Sequence, residues 1–232
     1  MSEVVERLKR DAFGAIYRVR DGEREFIRRD VRDAHPAVRI VARAVAAREA
    51  RALERLATLP GVPRLLRHDR DVLERSYIAG APMQESPPRG DRAWFRGARR
   101  LLLAMHARGI AHNDLAKEPN WLVTREGLPA LVDFQLAVVS ERHGRLFRLL
   151  AWEDLRHLLK HKRTYCPEAL TPVERRVLAR RSWISRAWAA SGKRAYNFVT
   201  RRILDWRDEE GRGASPTHKD GAPRPRGERD GG

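Results

Sequence analysis

Residues 109–136 read Gly-Ile-Ala-His-Asn-Asp-Leu-Ala-Lys-Glu-Pro-Asn-Trp-Leu-Val-Thr-Arg-Glu-Gly-Leu-Pro-Ala-Leu-Val-Asp-Phe-Gln-Leu. This stretch sets His112, Asp114 and Asn120 in a polar loop. An apolar strand follows, then a turn, then a second apolar strand ending in Asp133-Phe134-Gln135. A loop carrying a carboxylate and an amide, joined to a hairpin that delivers another carboxylate, suits metal–nucleotide chemistry. One carboxylate can orient or deprotonate a hydroxyl, while the amide and the other carboxylate hold magnesium against phosphates.

Outward from this core, Ala98–Arg108 has the pattern of an amphipathic helix (Leu101, Leu102, Met105) running into Gly109, where a C-terminal helix glycine belongs. Ala46–Leu59 forms another helix and carries Glu49. From about Val4 to Val139, this order of parts resembles the protein-kinase-like superfamily: a His-x-Asp catalytic loop, a downstream Asn and an Asp-Phe-Gly metal loop. Within it the chain looks most like the small atypical bacterial branch of RIO-like kinases and lipopolysaccharide sugar kinases of the Kdo/heptose type. Residues 47–66 and the segment from Asp154-Leu155-Arg156 to Thr171-Pro172 share that look.

The resemblance implies an α+β, two-lobed kinase-like fold, with a small antiparallel-sheet N-lobe and a shortened, mostly helical C-lobe. It implies ATP and Mg2+ as cofactors, Asp114 as the catalytic carboxylate, and Asn120 and Asp133 as magnesium ligands. His112 is expected to pack and brace the loop, and Phe134 to seat the metal loop in the core. Arg29 occupies the place of the kinase lysine, with Arg28 on the opposite strand face. Glu49 is its expected helix partner, and Lys9 on the first strand is the alternative cation.

The pattern departs from the family in four places. Asp114 and Asn120 are six apart rather than five, so Glu118 could share the metal role. Gln135 replaces the glycine after Asp-Phe, which makes a backbone flip harder. Asn113 replaces an arginine that reads phosphorylated activation loops. Asp11-Ala12-Phe13-Gly14-Ala15 has one glycine where typical kinases have three. The usual activation segment is also missing, and Cys166-Pro167-Glu168 reads as a turn linking helices.

The expected organisation is an N-lobe over 1–79, a Pro/Gly-rich hinge over 80–91, a helical C-lobe over 92–207 and a disordered tail over 208–232. In the N-lobe, Ala15–Val19 and Glu25–Val31 flank an Asp21-Gly22 hairpin turn, Val38–Leu59 is helical, and Leu65–His68 and Asp71–Ile78 are strands. After Val139 only helices are expected. One is marked by Leu146, Leu149, Leu150, Leu155, Leu158 and Leu159, and the next is opened by a Thr171-Pro172-Val173-Glu174 capping box.

The chain has 232 residues and one cysteine, Cys166. That excludes an internal disulfide and suits a reducing compartment. The N-terminus lacks the apolar core of a signal peptide, and no apolar run approaches a membrane span. A cytoplasmic protein, able to sit peripherally at the inner membrane face, is expected.

The formal net charge is +17. Residues 142–207 hold 17 Lys/Arg against five Asp/Glu, whereas residues 207–232 hold six of each. The excess therefore belongs to the C-terminal helices, a face suited to nucleic acid, anionic lipid or phosphorylated glycolipid. The resemblance, taken with this basic face, implies one of three functions: a kinase for a protein serine or threonine, a kinase for a lipopolysaccharide core sugar, or a pseudokinase that binds a polyanion. If the basic face binds a polyanion, affinity falls steeply with salt in a titration against nucleic acid, anionic vesicles and lipopolysaccharide. Charge reversal at Arg175, Arg176, Arg180 and Arg181 then weakens it. No binding to any of the three at low salt would leave a merely solvated surface.

Overall fold

An antiparallel sheet is built from β1 (Glu3–Asp11), β2 (Gly14–Asp21), β3 (Arg24–Asp30), β4 (Leu65–His68) and β5 (Val72–Ser76), in the order β1-β2-β3-β5-β4. The Asp21-Gly22 turn forms as expected, with Gly22 at φ 60°. The computed structural model describes residues 3–179, which lie in one unit spanning Met1–Arg181. The helices expected beyond residue 179, the tail, and Arg180 and Arg181 fall outside the described residues.

Helix α1 (Arg39–Arg55) follows a short 3-10 turn at Pro36–Val38 and ends four residues before the expected Leu59. Its alanines have a division of labour. Ala42, Ala46 and Ala50, at successive i+4 positions, pack with Val31, Ala34 and Leu73 under the sheet. Ala52, Leu53 and Leu56 join the larger core below. One helix thus belongs to both cores. Burial of Leu53 alone contributes about 2 kcal/mol.

The stretch read as a hinge is partly a strand. β6 (Gly80–Pro82) pairs with β8 (Trp121–Thr124), which pairs with β9 (Pro129–Leu131). Gly80 makes the pairing possible, because a Cβ there would lie 2.8 Å from the Val123 carbonyl oxygen. Pro82 sits at the end of an edge strand, where its missing N–H costs nothing.

Helix α2 (Arg92–Ala107) starts six residues before the expected Ala98, because Asp91 caps it by accepting the Trp94 N–H at 2.8 Å. That extra turn and a half buries Trp94, which meets Phe95 and Trp121 edge-on at 5.0 and 5.8 Å. Helix α3 (Arg145–Tyr165) and helix α4 (Pro172–Ala179) complete the described chain. The capping box is present: Glu174 N–H donates to Thr171 Oγ1 at 3.2 Å, and Thr171 N–H donates to Glu174 Oε2 at 2.9 Å. Cys166-Pro167-Glu168 is the turn between these helices, and the Cys166 thiol is fully buried. No described helix is long and apolar enough to cross a membrane.

A two-residue ladder joins β7 (Ile110–Ala111) to β10 (Val138–Val139). It closes through Ser140 N–H donating to the Gly109 carbonyl at 2.8 Å. Gly109 has φ 74°, and a Cβ there would lie 2.1 Å from the Ser140 carbonyl oxygen. Any side chain must therefore force the two segments apart as well as strain the backbone. Gly109→Ala is expected to destabilise the protein by about 2–4 kcal/mol, checked by urea unfolding. A loss under about 0.5 kcal/mol would show that the ladder yields easily.

Candidate active site

The β8–β9 hairpin sets the geometry. Its register pairs Trp121 with Leu131, so Asn120 lies opposite Val132 and Asp133 lies one residue beyond. The next backbone bond confirms this, with Val132 N–H donating to the Asn120 carbonyl at 3.1 Å. Two residues thirteen apart in sequence thus meet at one hairpin mouth. Asn120 also reaches back into the loop. Its Nδ2 donates to the Asp114 carbonyl at 2.9 Å and to Asp114 Oδ2 at 3.0 Å. The extra residue between Asp114 and Asn120 is absorbed by a 3-10 turn at Glu118–Asn120. Glu118 points its carboxylate elsewhere: Tyr165 Oη donates to it at 2.8 Å, and His161 Nδ1 lies 3.7 Å away.

The turn at Asp133 is tied to the loop of residues 112–120 through a ring. His112 Nε2–H donates to the Val132 carbonyl at 2.9 Å, and its ring packs on Phe134 at 4.7 Å between centroids. Asp133 itself is left-handed, at φ 66°, and Gln135 Nε2 donates to its Oδ1 at 2.6 Å. Gln135 thus acts on the carboxylate side chain through its amide, a contact that glycine could not make.

Helix α3 holds the loop from below. Asp154, His161 and Tyr165 share one face at i, i+7 and i+11. Asp154 Oδ2 accepts the His112 N–H at 2.7 Å, and Oδ1 accepts the Asn113 N–H at 2.9 Å. His106 Nε2 of α2 lies 3.2 Å from the same Oδ2. The convergence of two successive N–H groups on one carboxylate goes with the left-handed Asn113, at φ 64°. Further along, His161 Nε2–H donates to the Leu115 carbonyl at 2.9 Å. Burial lowers the His161 pKa, which favours the neutral ring.

In the sheet, Arg29 and Glu49 meet as expected, Nε to Oε2 at 3.8 Å. A second arginine shares the same carboxylate: Arg75 Nε lies 3.3 Å from Glu49 Oε1. Arg28 faces the other way and pairs with Glu74 at 2.8 Å. Lys9 is half-exposed on β1 with its ammonium 3.4 Å from Asp11, so the cations brought to Glu49 are Arg29 and Arg75.

With these parts in place, comparison with known families is decisive: a RIO domain model matches residues 5–172, from β1 to the first residue of α4. The chain belongs to the RIO domain family. RIO domains are atypical protein-kinase-like domains, so the antiparallel sheet followed by helices is the kinase-like α+β fold. No curated protein matches the sequence.

The donor set of this RIO domain fits magnesium. Hard cations take oxygen ligands, and magnesium sites in phosphate chemistry use one or two carboxylates and leave the rest to substrate phosphates. Asp133 supplies a carboxylate. Asn120 turns its nitrogen to Asp114, which leaves its amide oxygen as the available donor.

Three residues near the site escaped the sequence reading. Lys117 Nζ lies 3.1 Å from Asp114 Oδ2; a lone cation between Asp114 and Asn120 was its only signal. Arg75 shows itself as a charge on the inward parity of a strand, two residues after buried Leu73. Asp154 appeared only within a segment of family likeness. Asp154→Ala removes the acceptor of two loop N–H groups and is expected to cost about 3–5 kcal/mol in chemical denaturation. A loss below about 1 kcal/mol would show that the loop stands without α3.

Proposed function

We propose that this RIO domain is a magnesium- and ATP-dependent kinase that transfers the γ-phosphate to a hydroxyl, in the first instance a serine or threonine of a protein. One observation carries the reading. Asn120 Nδ2 and Lys117 Nζ both engage Asp114 Oδ2, and among the described residues Oδ1 has no partner. A carboxylate fixed through one oxygen presents the other to an incoming hydroxyl, where it orients the O–H and takes its proton. Lys117 holds a positive charge beside that carboxylate, suited to a phosphoryl group arriving between nucleotide and acceptor. Asp133 and the Asn120 amide oxygen would hold the magnesium, which, when bound, neutralises charge on the phosphate oxygens. Gln135 keeps Asp133 aimed by donating to its Oδ1.

A second reading concerns the acceptor. Only residues 137–144 separate the turn after Asp133 from α3. That leaves little chain to form a platform for an extended peptide, which favours a compact acceptor such as a lipopolysaccharide core sugar. The proposed setting is cytoplasmic, with the basic C-terminal region able to meet an anionic surface.

The test uses the purified protein, labelled ATP and magnesium, with a protein mixture and lipopolysaccharide in separate arms. Transfer to one arm identifies the acceptor class. Asp114→Ala is expected to cut transfer by roughly 10²–10⁴-fold, with ATP binding nearly intact. If the parent binds ATP but labels neither arm nor itself, the kinase reading gives way to a polyanion-binding pseudokinase.

A further inference from the structure

We infer that Arg29 and Arg75 form a two-arginine clamp for the phosphates of the nucleotide, with Glu49 as the carboxylate that positions both. The inference deepens the nucleotide-binding reading above and rests on it.

The register places the two arginines together. Arg29 pairs with Leu73 and Ile27 with Arg75, so residues 27, 29, 73 and 75 share the sheet face towards α1. The side chains of Arg29, Arg75 and Glu49 are 5%, 11% and 1% exposed. Charge does not balance in this cluster. Among the described residues, the two guanidinium groups have only one carboxylate within ion-pair distance. The opposite face of the same strands has no such surplus, because Arg28 has Glu74 to itself. A nearly buried cation without its own counter-ion is costly, and a bound anion removes that cost.

Hydrogen bonding points the same way. Neither oxygen of Glu49 accepts a hydrogen bond, although both are buried. The arginines approach the carboxylate by charge, so their donor forks are not spent on it. A guanidinium fork with free N–H groups is matched to phosphate oxygens, which it can grip bidentately. The position suits the ligand too. Helix α1, which carries Glu49, packs against the 3-10 turn Phe134–Leu136 that directly follows Asp133. A polyphosphate held at Asp133 therefore lies next to the helix that gathers the two arginines. The usual design neutralises one lysine with one glutamate. Here the second arginine leaves a net positive charge for the ligand.

The experiment compares binding of ATP, ADP and adenosine, each with magnesium, by calorimetry on the full chain. Arg75→Met is expected to weaken ATP roughly ten- to a hundredfold while changing adenosine less than about twofold. Arg75→Lys should recover part of the loss, and Arg29→Met with Arg75→Met should lose more than either alone. Melting temperatures report folding, and if Arg75→Met does not fold, Arg75→Lys and Arg75→Gln provide the comparison. Equal losses for ATP and adenosine would make Arg75 a structural bridge and overturn the clamp, as would no loss at all, while leaving the kinase reading intact. A parent protein that binds adenosine and ATP equally overturns the clamp as well. One that binds no ATP overturns both.

Discussion

The site depends on one buried carboxylate. Asp154 is 1% exposed and receives two backbone N–H groups from the loop of residues 112–120, with a histidine of α2 beside it. Backbone donors in a tight bend have no sheet or helix partner, so they must find an acceptor or lose a hydrogen bond each. A charged acceptor satisfies two at once and fixes the left-handed Asn113. Everything downstream inherits that placement. His112 then reaches Val132, Phe134 is seated under it, and Asp114 emerges where Asn120 can bind it.

Above this anchor, α1 couples two cores by the size of its side chains. Alanines at 42, 46 and 50 let the helix approach the sheet closely, and Leu53 and Leu56 bury its far end below. Close approach brings Glu49 within reach of the arginines on β3 and β5. The helix therefore touches both the arginine pair of the sheet and the turn after Asp133.

How far the sequence could be read follows from how local each determinant is. That Asn120 and Asp133 come together was legible because short apolar strands around a Gly-containing turn impose a hairpin register. Gly109 and the Thr171 to Glu174 box were legible because caps are decided within four residues. β6 was not, because Gly80-Ala81-Pro82 reads as a turn and its partner β8 lies forty residues away. The start of α2 was missed because Asp91 looked like the end of a loop rather than a cap. Arg75 looked like any charged residue in a strand until Leu73 fixed the strand's parity. Asp154 binds main-chain atoms, and main-chain atoms leave no mark in the amino-acid pattern.

The ladder between β7 and β10 restrains the turn that carries Asp133. Ser140 is bonded to Gly109, so the chain after Asp133 is pinned within seven residues, with only four more before α3 begins. In a protein with a longer tether, a carboxylate at this position can swing out and a small molecule can wedge into the space it leaves. Here such an inhibitor would have to peel a strand pair off the floor of the site.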